Sequence, residues 1–266
     1  MINLNILKWL DNRITYLKNN NIKFNSGVAI LEKRMLYNDI PVEVEPYDYR
    51  NDVSDENKKK TVLLFYMDDR RLLPRLKNFE NDIQEMKKYA AVSGFDMSAS
   101  ILMLRMRQKL CMLINSVYNC CLGLAGIKIL PNARCGDFGT ISLLGMYPKG
   151  CNIIISNHGC KNHGFKYYGL YQTIYINDFL KPKQIFSYGN VSKKEYKFIN
   201  KKCKNNIIVF PDHRKKRQYK KSAYTIGTSI NASFNNKTGK NCYCSFILQD
   251  KLIEIKPLSF DEKEAC

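Results

Sequence analysis

At 266 residues and 45% hydrophobic content, the chain is long enough to bury a sizeable core and too apolar to be disordered throughout. Lysine and arginine total 43 against 24 acidic residues, a net charge of +19 that makes polyanions the expected partners, nucleic acid before an anionic membrane surface. No apolar run reaches about 18 uninterrupted residues, and Asn3, Asn5 and Lys8 stand where a secretory leader has a clean apolar core, so neither a membrane span nor a leader is expected, and nucleic acid or a host protein, not a membrane, is the expected partner.

The ten cysteines fit reduced thiols of a cytoplasmic protein. Cys111, Cys120 and Cys121 lie in an apolar, helix-like stretch where Cys is a common core residue. Cys242 and Cys244 offer two thiolates to a metal, but one Cys-x-Cys without a matching pair is a weak signal.

Residues 1–20 predict an amphipathic helix: Leu4, Ile6, Leu7, Leu10, Ile14 and Leu17 recur near helical spacing, a pattern that suits packing onto the body. Val28 begins a short strand, and the stretch between Pro41 and Pro46 suits an edge strand or an extended connection. After a charged loop over 51–60, residues 62–66 read as a buried strand running into Asp68 and Asp69. A helix over 72–88 follows, with Pro74 in its first turn. The next strand covers 90–96 and ends at Asp96. Ser98 or Ser100 then caps a long buried helix over 99–124, whose solvated face is Arg105, Arg107 and Lys109. Further strands are expected at 127–130, 152–155, 183–188 and 206–210, with helices over 165–179 and 193–202 between them. Short terminal strands are expected near 226–230, 244–248 and 252–255.

Strand and helix thus alternate after residue 60, which predicts an α/β fold with a mainly parallel sheet. Six core strands are too few for an eight-stranded barrel, so an open sheet is favoured, with an incomplete or distorted barrel as the alternative. Residues 1–60 read as an N-terminal helix and edge strands packing on the core, 61–213 as the α/β core, and 214–266 as a basic C-terminal appendage with short strands.

Two stretches carry the polar residues of a site. Asn132, Arg134, Gly136 and Asp137 follow one apolar run, and Asn157, His158, Gly159 and Cys160 follow another. Polar residues directly after buried parallel strands collect at one sheet edge, where ligands bind. Separately, residues 214–240 hold eight basic residues and no acidic ones. There Arg214, Lys215, Lys216, Arg217, Lys220 and Lys221 can neutralise phosphates while Tyr219 stacks on a base.

Phe65 to Asp69, Ile127 to Asp137, Ile155 to Cys160 and Leu180 to Gly189, in this order and spacing, resemble domain-of-unknown-function family 4417. That resemblance implies a bacteriophage or mobile-element protein working in the cytoplasm of a bacterial host, and it carries no established activity. Asp68 and Asp69, the Asn132-x-Arg134-x-Gly136-Asp137 run and His158-Gly159-Cys160 match the family's pattern. Cys135 stands where the family usually has tryptophan, and Leu113-Ile-Asn-Ser116 replaces an aromatic, arginine-rich stretch. These departures put a shared ligand in doubt.

A catalytic reading places Asp69, Asp96, Asp137 and His158 at neighbouring strand ends. There they would hold magnesium or manganese for metal-dependent phosphodiester hydrolysis. Asn132, Arg134, Gly136, Asn157 and Gly159 would bind the ligand, Arg134 through a bidentate phosphate contact. The structural reading pairs Arg134 internally with Asp96 or Asp137. The leading expectation is nucleic-acid binding through a basic surface, with this pocket taking phosphate or a divalent metal. Its rivals are a non-enzymatic protein that blocks a host defence protein and a protein that binds a small nucleotide.

Overall fold

The computed structural model describes residues 4–156, 168–189, 193–203 and 207–218, together with the strands at 244–248 and 251–255. The chain opens with helix α1 (Leu4–Asn19), which buries Leu10 and Leu17 and stacks Trp9 near Tyr118. A tight antiparallel hairpin follows, β1 (Phe24–Asn25) and β2 (Val28–Ala29). Its turn takes Ser26 and Gly27 at positive φ.

The core is parallel. Strands β3 (Glu43–Pro46), β4 (Thr61–Leu64), β5 (Ala91–Ser93) and β6 (Ile129–Leu130) form one sheet in that order. A second holds β7 (Ile153–Ser156), β8 (Ile185–Tyr188) and β9 (Ile207–Phe210). The sheets are stitched together where the Ile154 amide donates to the Pro131 carbonyl at 2.8 Å. Between the strands run α2 (Asp55–Lys58), α3 (Asp69–Lys77), α4 (Phe79–Met86), α5 (Arg105–Leu124), α6 (Tyr168–Leu180) and α7 (Lys193–Cys203). The terminal strands β10 (Cys244–Leu248) and β11 (Lys251–Ile255) pair as a hairpin.

Side-chain alternation along the strands divides the core in two. Val44, Val62, Leu64, Ala91, Leu130, Ile154, Phe186 and Tyr188 gather on one face, drawn from both sheets. Leu63, Phe65, Val92, Ile129, Ile153, Ile155 and Ile185 point the other way, into the helices. The sheets therefore curl around a shared inner cluster, but they do not close: among the described residues, β3 and β9 share no ladder. Both sheets are parallel and alternate with helices, as the sequence predicts, and β3 is the edge strand expected between the prolines.

The helices depart from expectation in two places. The helix predicted over 72–88 is two helices, because Asn78 takes non-helical angles between α3 and α4 and lets Phe79 turn into the core. Pro74 lies inside α3, which starts earlier than expected because the Asp68 side chain accepts the Arg70 amide as an N-cap. The long helix predicted from 99 begins only at Arg105, and neither Ser98 nor Ser100 caps it. Residues 95–98 are instead irregular and pinned to α5: the Phe95 amide donates to Asn119 Oδ1, and Met97 exchanges two hydrogen bonds with the Asn115 side chain. Backbone groups already satisfied by α5 side chains have no need of a helical turn. The run 138–146 forms 3₁₀ turns.

Candidate functional site

The carboxyl ends of β4, β5 and β6 bring Tyr66, Asp96, Asn132 and Arg134 together. Asp96 follows β5 and is only 4% exposed. Its Oδ2 lies 3.2 Å from Arg134 Nη1, while its buried Oδ1 has no hydrogen-bond partner among the described residues. Asn132 is held from two sides: Tyr66 donates its hydroxyl to the side-chain Oδ1 at 3.2 Å, and Tyr147 donates its own to the main-chain carbonyl at 3.2 Å. Gly94 permits this packing, since a Cβ there would lie 2.9 Å from both the Asn132 nitrogen and the Tyr147 hydroxyl oxygen. Tyr66 stacks against Tyr188 of β8 with centroids 5.8 Å apart.

Burial sets the chemistry of these groups. Desolvation raises the Asp96 carboxyl above its ordinary range, against the opposing pull of Arg134 and Asn132, and the nearby Asp69 charge adds to the rise. Burial also raises Tyr66, Tyr147 and Tyr188. The three phenols are therefore neutral hydrogen-bonding groups at physiological pH.

The next turn is fixed by two glutamines that sequence reasoning did not single out. Gln172 of α6 donates to the Cys135 carbonyl at 2.7 Å, and Gln108 of α5 accepts the Asp137 amide at 2.7 Å. Gly136 abuts Gln108 so closely that a Cβ would fall 1.9 Å from its Oε1. Asp137 turns to Arg105, whose Nε lies 3.3 Å from Oδ2. Burial pushes the Cys135 thiol up to about 12, which keeps it protonated at physiological pH.

Each candidate catalytic acid among the described residues has a structural partner. Asp69 accepts the Ser98 amide at 3.1 Å, Asp96 holds Arg134, and Asp137 holds Arg105. Among the described residues no group of three His, Cys, Asp or Glu side chains is placed to hold a metal ion. The expected magnesium or manganese site combines these acids with His158. Asn157, His158, Gly159 and Cys160 lie outside the described residues.

Residues 27–211 match the model of a family described as a domain of unknown function, DUF4417. The chain belongs to the DUF4417 family. Both parallel sheets and every strand-end residue described above fall within the matched span. No curated protein and no solved structure matches the chain.

Just beyond the DUF4417 match, a helical turn at 213–218 carries the start of the basic segment, and the structure divides its charges. Arg214 and Lys215 are exposed. Lys216, expected to bind nucleic acid, is instead buried between Glu43 and Glu45 of β3, with Nζ 2.6 Å from Glu45 Oε2. A buried carboxylate requires a compensating cation, and Lys216 supplies it. His213 Nδ1 meets the other Glu45 oxygen, and its ring stacks on Tyr49 with centroids 3.6 Å apart. Arg217 pairs with Asp52 at 2.7 Å. This cluster ties β3 to the chain leaving β9, across the gap between the sheets. Its sequence signal is the pair of carboxylates, Glu43 and Glu45, that flank Val44 in the same short strand. Tyr219, Lys220 and Lys221 lie outside the described residues.

Proposed function

We propose that this DUF4417 protein binds nucleic acid, with a backbone phosphate taken at the strand ends by Arg134. The observation that carries the reading is the placement of Arg134: its guanidinium is anchored from behind by the buried Asp96, yet 27% of its side chain stays exposed at the sheet edge. A planar guanidinium held in one orientation suits a phosphate oxygen better than a swinging lysine does. The net charge of +19 and the exposed Arg214 and Lys215 supply the sequence-independent attraction. A bacteriophage or mobile-element origin and a bacterial cytoplasmic setting belong to the same proposal and rest on the family resemblance.

The role is binding. The acids at these strand ends hold Arg134, Arg105 and the Ser98 amide in place, and no hydrolytic step is assigned to them.

The test is fluorescence anisotropy with labelled single-stranded DNA, duplex DNA and single-stranded RNA at 50 and 200 mM salt. Three phosphate contacts, from Arg134, Arg214 and Lys215, predict roughly 40-fold weaker duplex binding and roughly 20-fold weaker single-strand binding at the higher concentration. An Arg134→Gln, Asp96→Asn double variant, neutral at both positions, should bind more weakly with a salt slope smaller by about one. The same mixtures with magnesium or manganese should show no cleavage. Absence of binding at 50 mM, or an unchanged slope in the variant, would overturn the assignment.

A further inference from the structure

The late start of α5 leaves Leu102, Leu104 and Met106 on the surface, 69%, 75% and 83% exposed. Aliphatic side chains this exposed project outward, and three within five residues make a protruding apolar tip. Arg105, Arg107 and Lys109, all exposed, are interleaved with and directly follow them. The tip continues into a second apolar element: Arg105 pairs with Asp137, and beside it the half-exposed rings of Phe138 and Tyr175 meet with centroids 4.6 Å apart. Large exposed apolar clusters on a folded protein mark interaction sites.

From this arrangement we infer that the tip docks on the surface of an anionic membrane, with Leu102, Leu104 and Met106 entering the headgroup boundary. Two features favour a lipid surface over a protein groove or a nucleic acid. The interleaved cations match anionic headgroups, and Phe138 and Tyr175 are of the residue class that favours the membrane interface. Leu102, Leu104 and Met106 offer nucleic acid neither side-chain charge nor a ring to stack. Among the described residues no helix is long and apolar enough to cross a membrane, so attachment here would be peripheral.

Vesicle co-sedimentation tests this with the full chain, comparing pure phosphatidylcholine with a mixture containing phosphatidylglycerol. Binding should require phosphatidylglycerol and weaken with salt. A Leu104→Glu, Met106→Glu variant should lose about 30-fold or more in vesicle affinity while keeping its melting temperature and its polynucleotide affinity. Arg107→Gln with Lys109→Gln should lose roughly 30-fold through the headgroup term alone. Failure to bind phosphatidylglycerol vesicles at low salt would overturn the inference. Equal binding by intact protein and tip variant would do so too, since general positive charge would then suffice. Loss of polynucleotide affinity with vesicle binding intact would reassign the tip to the nucleic-acid interface and would also overturn it.

Discussion

Replacing Arg134 with Met removes the cation that faces a nearly inaccessible carboxylate. Removing one partner of a buried pair costs about 3–5 kcal/mol. Because 27% of the Arg134 side chain is exposed, water offsets part of that, and about 2–3 kcal/mol is expected at pH 8. The pH dependence is the sharper signature. Burial raises Asp96, so the folded chain holds that proton to higher pH than the unfolded chain does. The resulting stability is full below the unfolded value of about 3.9 and is lost as pH rises through the folded value. Without the guanidinium the folded value climbs further, and the window of loss extends upward. The deficit of Arg134→Met should therefore shrink as pH falls from 8 to 5, because protonation of Asp96 removes the need for a cation. Adding Asp96→Asn should recover part of the loss, since no uncompensated charge then remains. Urea unfolding followed by circular dichroism at both pH values measures each quantity. An equal deficit at pH 5 and pH 8, or a double variant that loses the full sum of the single losses, would refute the reasoning.

Other expectations follow from the same contacts. Gly94→Ala forces a methyl group against the Asn132 nitrogen and the Tyr147 hydroxyl, and should cost about 1–3 kcal/mol in urea unfolding while weakening polynucleotide binding through displaced Asn132. Lys216→Met should cost about 2–4 kcal/mol, because Glu45 loses its ammonium partner, and should leave polynucleotide affinity nearly unchanged. The pair Arg214→Gln and Lys215→Gln should behave oppositely, with stability within about 0.5 kcal/mol of the parent and a salt slope of binding smaller by about two. At pH 7.5, iodoacetamide should leave Cys135 and Cys111 unmodified in the folded chain, since burial pushes their thiols up to about 12 and about 11; mass spectrometry of the alkylated protein would detect the contrary.

Much of the architecture is legible locally. The alternation of Val62 and Leu64 with Leu63 and Phe65 marks a strand buried on both faces, and abrupt polarity after it marks the sheet edge where Asp96, Asn132 and Arg134 meet. Prolines at 41 and 46 mark the edge strand. By itself the sequence determines these features because each rests on spacing within a few residues, where backbone geometry dictates which side chains share a face.

What only the tertiary structure decides is the choice among distant partners. Arg134 had two acids within reach of the argument and takes Asp96, leaving Asp137 to Arg105. The basic run gives no hint that Lys216 turns inward, because its partners Glu43 and Glu45 are on a strand more than 160 residues earlier. Asn115 and Asn119 look like flaws in a buried helix until the irregular chain at 95–98 is laid against them, and that contact also moves the start of α5 and exposes Leu102, Leu104 and Met106. A buried charge or amide must find a partner, but its spacing along the chain does not say which one; the folded backbone decides by bringing complementary groups within hydrogen-bonding distance.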